Sequence, residues 1–132
     1  MKYFTIHELT KSATAKAKRI DNTPNEEARA NLVLLVERVL DPLRSVWGRP
    51  IVVNSGYRSE KLNNAVGGVS TSHHCRGMAA DITTGTRENN QKLFELAIRL
   101  DLPFCQLIDE KGYQWVHISY NKDDIRKQIL HL

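Results

Sequence analysis

Ser72-His73-His74-Cys75-Arg76-Gly77-Met78-Ala79-Ala80-Asp81-Ile82-Thr83 passes from a polar turn into a strand, and the reading of the whole chain works outward from it. A loop rich in Ser, Thr and Gly precedes it, and Ala79 to Thr83 has the character of a short strand. His74 sits in the turn, and Asp81 follows it by seven residues. A helix would bring positions i and i+4 together. Seven residues with Gly77 among them describe instead a loop that doubles back.

Trp115 to Tyr120 is a second strand, and its alternation bears on the first. Val116, Ile118 and Tyr120 share one face, while Trp115, His117 and Ser119 share the other. Ile82 and Asp81 likewise point to opposite sides. If the aliphatic faces form the core, Asp81 and His117 turn together toward the other side, where a cleft can lie. Imidazole nitrogen and carboxylate oxygen bind zinc at roughly 2.0–2.2 Å, and a catalytic site uses three protein ligands plus water. Taken singly, a strand histidine and an aspartate at a strand start are ordinary features. The small residues Gly77, Ala79 and Ala80, which allow chains to approach closely, favour the metal reading.

The remaining elements follow from local signals. Phe4 to Ala17 reads as one or two short helical turns. Thr23-Pro24-Asn25-Glu26 reads as a helix start, with Thr23 as cap and Pro24 in the first helical position. Ala28, Leu32, Leu35, Val36, Val39, Leu43 and Val46 recur at helical spacing up to Trp47, and Gly48 and Pro50 end the run. Ile51 to Val53 is a short strand leading into Asn54-Ser55-Gly56-Tyr57-Arg58, and Ser59 to Val66 is a short helix closed by Gly67-Gly68. Asn89 to Leu100 is a further helix. Phe104 to Ile108 pairs with Trp115 to Tyr120 as a hairpin across the turn Asp109-Glu110-Lys111-Gly112. Asp123 to Leu132 is expected to add a short helix. The fold class is α+β: a small, mainly antiparallel sheet backed by helices, in one domain spanning 1–132.

Bulk properties narrow the function classes. The 132 residues suit one core, with 41% hydrophobic and 26% charged residues, as in ordinary soluble domains. No apolar run approaches the length of a membrane span, so no membrane partner is expected. The N-terminus lacks an apolar segment with a cleavage pattern, so the chain is expected to be cytoplasmic as synthesised. Cys75 and Cys105 are too few for a disulfide framework and are expected as free thiols. The net charge of +4 suits an anionic partner or simply a basic surface. The basic residues are scattered without interleaved aromatics, so no nucleic-acid partner is expected.

Ser72-x-His74-x-x-Gly77-x-Ala79-x-Asp81 resembles the SxHxxGxAxD signature of the M15 zinc peptidases, the D-alanyl-D-alanine carboxypeptidase family. Ser55-Gly56-Tyr57-Arg58-Ser59 and Leu62-Asn63-x-Ala65-Val66-Gly67-Gly68 are similar to its first half. Gln106-Leu107-Ile108 and Trp115-Val116-His117-Ile118-Ser119 are similar to its closing segment, so the resemblance runs from about Phe4 to Tyr120. It implies one zinc ion held by His74, Asp81 and His117, in a sheet-and-helix fold shared with the Hedgehog signalling domain. It further implies hydrolysis of peptide bonds in peptidoglycan stem peptides, as a carboxypeptidase or a related endopeptidase; a monomer is the default expectation. Short members of this kind resemble phage or prophage lytic enzymes, which wait in the cytoplasm until the wall becomes accessible.

Within that resemblance, Arg58 is the fixed cation for a developing oxyanion or for the substrate's terminal carboxylate. Ser72 contacts substrate or stabilises its own loop, and His73, which has no match in the signature, is read as a contact either to substrate or to the ligand residues beside it. Many relatives place an acid three residues before the second histidine ligand, where this chain has Gln114. An amide cannot take a proton, so the general base is assigned to Glu110, with Asp109 as the alternative. The same substitution keeps open a non-catalytic module that binds zinc or cell wall without cutting it. His7 and His131 are read as surface residues, and Cys75 is left out of the ligand set.

Overall fold

Thr5 Oγ1 accepts a hydrogen bond from the Glu8 amide, and the Glu8 carboxylate accepts one from the Thr5 amide. This reciprocal cap opens helix α1, Ile6–Thr10. In the computed structural model, which describes residues 1–132, Ser12 caps α2 (Ala13–Lys18) and Asn25 caps α3 (Glu26–Leu35). The start expected at Thr23 is displaced. Asn25 Oδ1 accepts from the Ala28 amide at 2.8 Å, while the Thr23 amide donates to Asp21 Oδ1 at 3.0 Å. Asn outranks Thr as a cap, and Pro24 falls before the helix instead of inside it.

The helix then widens into a π turn at Val36–Leu40 before continuing as α4 (Asp41–Trp47). Pro42 explains the widening: it has no N–H to donate, and its ring would collide with the carbonyl four residues back. The extra residue in the turn rotates the buried face forward. Leu40 and Leu43 are fully buried and Trp47 packs against the core, whereas Val46, expected inside, is exposed. Gly48, at φ +75°, closes the helix as expected.

Strands β1 (Val52–Ser55), β2 (Ala79–Thr83), β3 (Gln106–Glu110), β4 (Trp115–Ser119) and β5 (Gln128–His131) form one sheet in the order β1-β2-β4-β3-β5. All neighbours are antiparallel except β3 and β5. Helices α5 (Glu60–Ala65) and α6 (Arg87–Arg99) complete the α+β architecture, together with a 3-10 turn at His73–Arg76. Val53, Ala80, Ile82, Leu107, Val116 and Ile118 line the buried face of the sheet and join Leu32, Leu35, Val36, Leu93 and Phe94 in one core cluster. No helix is long and apolar enough to cross a membrane. Both cysteines are free, Cys105 buried and Cys75 half-buried.

Two expectations at the hairpin and the C-terminus are corrected. Strand β3 runs to Glu110, which pairs with Trp115, so Asp109 and Glu110 belong to the strand and the turn begins at Lys111. Lys111, Gly112 and Tyr113 all have positive φ, which places the reversal there. The segment Asp123 to Leu132 forms no helix. Its last part docks as β5 along the free edge of β3, with Gln128 N donating to Cys105 O and Leu132 N to Asp109 O. A long-range partner thus outweighs the weak local preference of a polar tail.

Candidate metal centre

Asp81 and His117 are direct cross-strand partners in the β2–β4 ladder, so their side chains leave the same face of the sheet. His74 reaches them from the 3-10 turn. Ser72 Oγ caps that turn by accepting from the His74 amide at 3.1 Å, and Gly77 at φ +73° closes it. Asn31 Nδ2 ties it to α3 by donating to Arg76 O at 2.9 Å. One ligand atom each from His74, Asp81 and His117 lies within 4.8 Å of the others. His74 is 2% exposed and Asp81 9%.

The donor set suits a cation on its own chemistry. His74 Nδ1 lies 2.7 Å from the Gly56 carbonyl, which can only accept, so Nδ1 carries the proton and Nε2 presents a lone pair. That Nε2 is buried without a hydrogen-bond partner and faces Asp81 Oδ1 at 3.3 Å. Two buried acceptors facing each other are costly unless a positive charge sits between them. His117 Nδ1 meets the same Asp81 oxygen at 2.9 Å. The set of two imidazoles and a carboxylate matches the nitrogen and oxygen ligands that zinc takes.

Burial works to raise the Asp81 carboxyl, but hydrogen bonding to His117 outweighs it and holds the group well below the ordinary carboxylate range. A depressed folded pKa stabilises the fold at pH values above the unfolded value of about 3.9, and that contribution fades as pH falls through the folded range. Metal-free Asp81→Asn is therefore expected to melt below the wild type at pH 6. The gap should close progressively below about pH 4. Melting curves in chelator at both pH values check this, and a gap that ignores pH would contradict it.

Arg58 stands beside the centre, with Nη2 3.6 Å from Asp81 Oδ2. A register shift between Val53 and Ser55 in β1 brings Ser55 opposite Asp81, and Ser55 Oγ accepts from Arg58 Nε at 3.1 Å. The Arg58 amide also donates to the His74 carbonyl at 3.1 Å, joining the arginine loop to the histidine turn.

A cavity of about 350 Å³ opens over His117, lined also by Val69, Ser72, His73, Ile108 and Glu110. Glu110 shares the His117 face of the sheet, and its Oε2 accepts from Trp115 Nε1 at 2.8 Å. Asp109 points to the opposite face, is 6% exposed and is bonded by His131, so the structure does not bring it to the cavity. His131 is exposed, as expected of a surface residue, and its ring bonds the Asp109 carboxylate. Gln114 lies exposed in the turn, its carbonyl accepting from Asn90 Nδ2, and does not line the cavity. Burial, with the charges of His117 and Arg76, pushes the His73 imidazole below its ordinary value. Burial pushes the Cys75 thiol up, away from the thiolate a ligand would need.

Sequence reading missed the supports of this site: Ser55, Asn31, Asn63, Asn90 and Trp115. Asn31, Asn63 and Asn90 are buried polar residues whose side chains bond backbone carbonyls of surrounding loops. For Asn31 and Asn90 the only signal in the sequence is an amide within an otherwise apolar helical face, whereas Asn63 shows only as a motif position.

These features define a His-Asp-His cluster that could hold a metal ion at the edge of an open cavity. The chain belongs to the M15 family of peptidases: the model of that family, described as Peptidase M15, matches residues 2–119. Over 60 residues the chain is 38% identical to the zinc D-Ala-D-Ala carboxypeptidase of Streptomyces albus G. That alignment covers 46% of this chain and 24% of the relative, so the chain matches about a quarter of the relative's length.

Proposed function

We infer that this chain is a single-domain, monomeric zinc peptidase, with one ion held by His74, Asp81 and His117, that hydrolyses peptide bonds in peptidoglycan stem peptides. The observation that carries the reading is the buried, unpartnered His74 Nε2 turned toward Asp81, with His117 beside the same carboxylate. When bound, zinc acidifies water and polarises a peptide carbonyl. Arg58 offers its free N–H groups to the oxygen that gains charge, or to a substrate carboxylate. It also lines a second cavity, of about 370 Å³, with Lys11, Ser12 and Asn54, and the two cations there suit an anionic peptide. Glu110 takes a proton from the attacking water and returns it to the leaving amine, while Trp115 holds its other oxygen. Ser72 shapes the histidine turn through its cap.

Arg58→Ala is expected to lower kcat by about 10²- to 10³-fold, as loss of an oxyanion donor does. Arg58→Lys should recover little, because an ammonium cannot serve Ser55 and Asn63 while reaching the centre. Steady-state kinetics on a stem-peptide substrate read both. The reading as a whole is tested by incubating zinc-loaded protein with purified peptidoglycan and analysing the products by mass spectrometry. Release of terminal D-Ala would define a carboxypeptidase, and paired internal fragments an endopeptidase. Walls of several chemistries left intact by a zinc-bearing protein would favour the non-catalytic module that Gln114 keeps open.

A further inference from the structure

Asn63 is 1% exposed, unusual for an asparagine, and each of its polar groups has a partner. Its amide donates to Ser59 O at 2.8 Å, and its carbonyl accepts from Gly68 N at 2.9 Å. Its side-chain Nδ2 donates to Val69 O at 2.8 Å, which leaves Oδ1 to accept from Arg58 Nη1 at 3.0 Å. With Nε on Ser55 Oγ, two of the five guanidinium N–H groups are committed and the plane of the fork is fixed. The uncommitted Nη2 is the edge that faces Asp81.

Gly68 completes the arrangement. Its φ is not positive, so backbone freedom does not explain the glycine. A Cβ there would lie 2.0 Å from Asn63 Oδ1 and 2.9 Å from Arg58 Nη1. The bare backbone is what lets the Asn63–Arg58 pair exist.

We propose that Asn63, seated beneath Gly68, is a positioning residue that sets the Arg58 guanidinium so that its Nη2 edge addresses the metal centre. The same side chain holds Val69, which walls the substrate cavity, so arginine and wall are set together. The proposal rests on the reading of Arg58 as a contact to substrate. Asn63 acts through Arg58 and touches no reacting atom.

A double-mutant cycle on zinc-loaded protein tests it, joined to nitrogen NMR of the Arg58 side chain. Asn63→Ala should lower kcat about 10- to 100-fold, the scale set by removing a supporting partner, with metal content unchanged. In an Arg58→Ala background the same change should cost less than about 2-fold, because residues in one network are not additive. Asn63→Asp, which keeps the acceptor for Arg58 but loses the donor to Val69, should retain more activity than Asn63→Ala. The Nη signals of Arg58 should be resolved in wild type and in Asn63→Asp, and averaged by rotation in Asn63→Ala. Multiplying effects of Asn63→Ala and Arg58→Ala, or Arg58 signals unmoved by Asn63→Ala, would overturn the proposal. If the wild type cuts no peptide, the peptidase reading fails, and the NMR signals alone still decide whether Asn63 holds Arg58.

Discussion

His74→Ala should leave the protein unable to retain zinc through dialysis and should lower peptidoglycan hydrolysis by at least about 10³-fold. That exceeds the roughly 10- to 100-fold cost of losing a partner one bond beyond the ligands. The size follows from position. His74 has the most deeply buried side chain of the three residues, and the neighbouring Cys75 thiol, pushed up by burial, is a poor substitute. The substitution also leaves the Gly56 carbonyl without its buried donor, which costs about 1–3 kcal/mol of stability. His73→Ala is the matched control, because His73 lines the cavity but is not one of the three ligand residues. Metal analysis after dialysis and fragment release on the same samples read the outcome. Wild-type zinc retention by His74→Ala would remove His74 from the centre.

Gly77→Ala carries the largest expected effect on stability. Gly77 adopts φ +73°, and a Cβ would stand 2.3 Å from the Ala28 carbonyl oxygen. Left-handed backbone costs an alanine about 1–2 kcal/mol. The collision is with helix backbone, which cannot swing aside as a side chain can, and adds about 1–3 kcal/mol. A total of roughly 2–5 kcal/mol is a large part of the 5–15 kcal/mol that holds a domain of this size. Gly67→Ala separates the two causes: its φ is +75°, but nothing lies within 4 Å of the added carbon. Thermal melting should therefore show a fall on the order of 10 °C for Gly77→Ala and only a few degrees for Gly67→Ala. Equal falls would mean that backbone strain alone sets the glycine. The histidine turn rests directly on α3 at this point, so the same glycine that shapes the fold also places His74.

Strand parity was the most informative feature of the sequence. Alternation along Trp115 to Tyr120 and around Asp81 placed the aspartate and His117 on one face, and the ladder pairs them directly. The π turn could not be foreseen from helical spacing, because its cause, Pro42, acts on hydrogen bonds four residues earlier. The parallel docking of β5 depends on an edge supplied by β3, some twenty residues away, so no local signal announces it. Glu110 and Asp109 differ by one position, yet strand parity sends one to the cavity and buries the other against His131. Reading both as turn residues erased that difference. Asn63 was visible only as part of a motif, because its role lies in four partners that come together through the fold.

The most direct test of the metal centre is an anomalous difference map, recorded at the zinc edge from crystals grown with zinc. The account predicts one strong peak within about 2.0–2.2 Å of His74 Nε2, the Asp81 carboxylate and a His117 ring nitrogen. A site left empty at saturating zinc, or a peak held instead by Cys75 or His131, would contradict it.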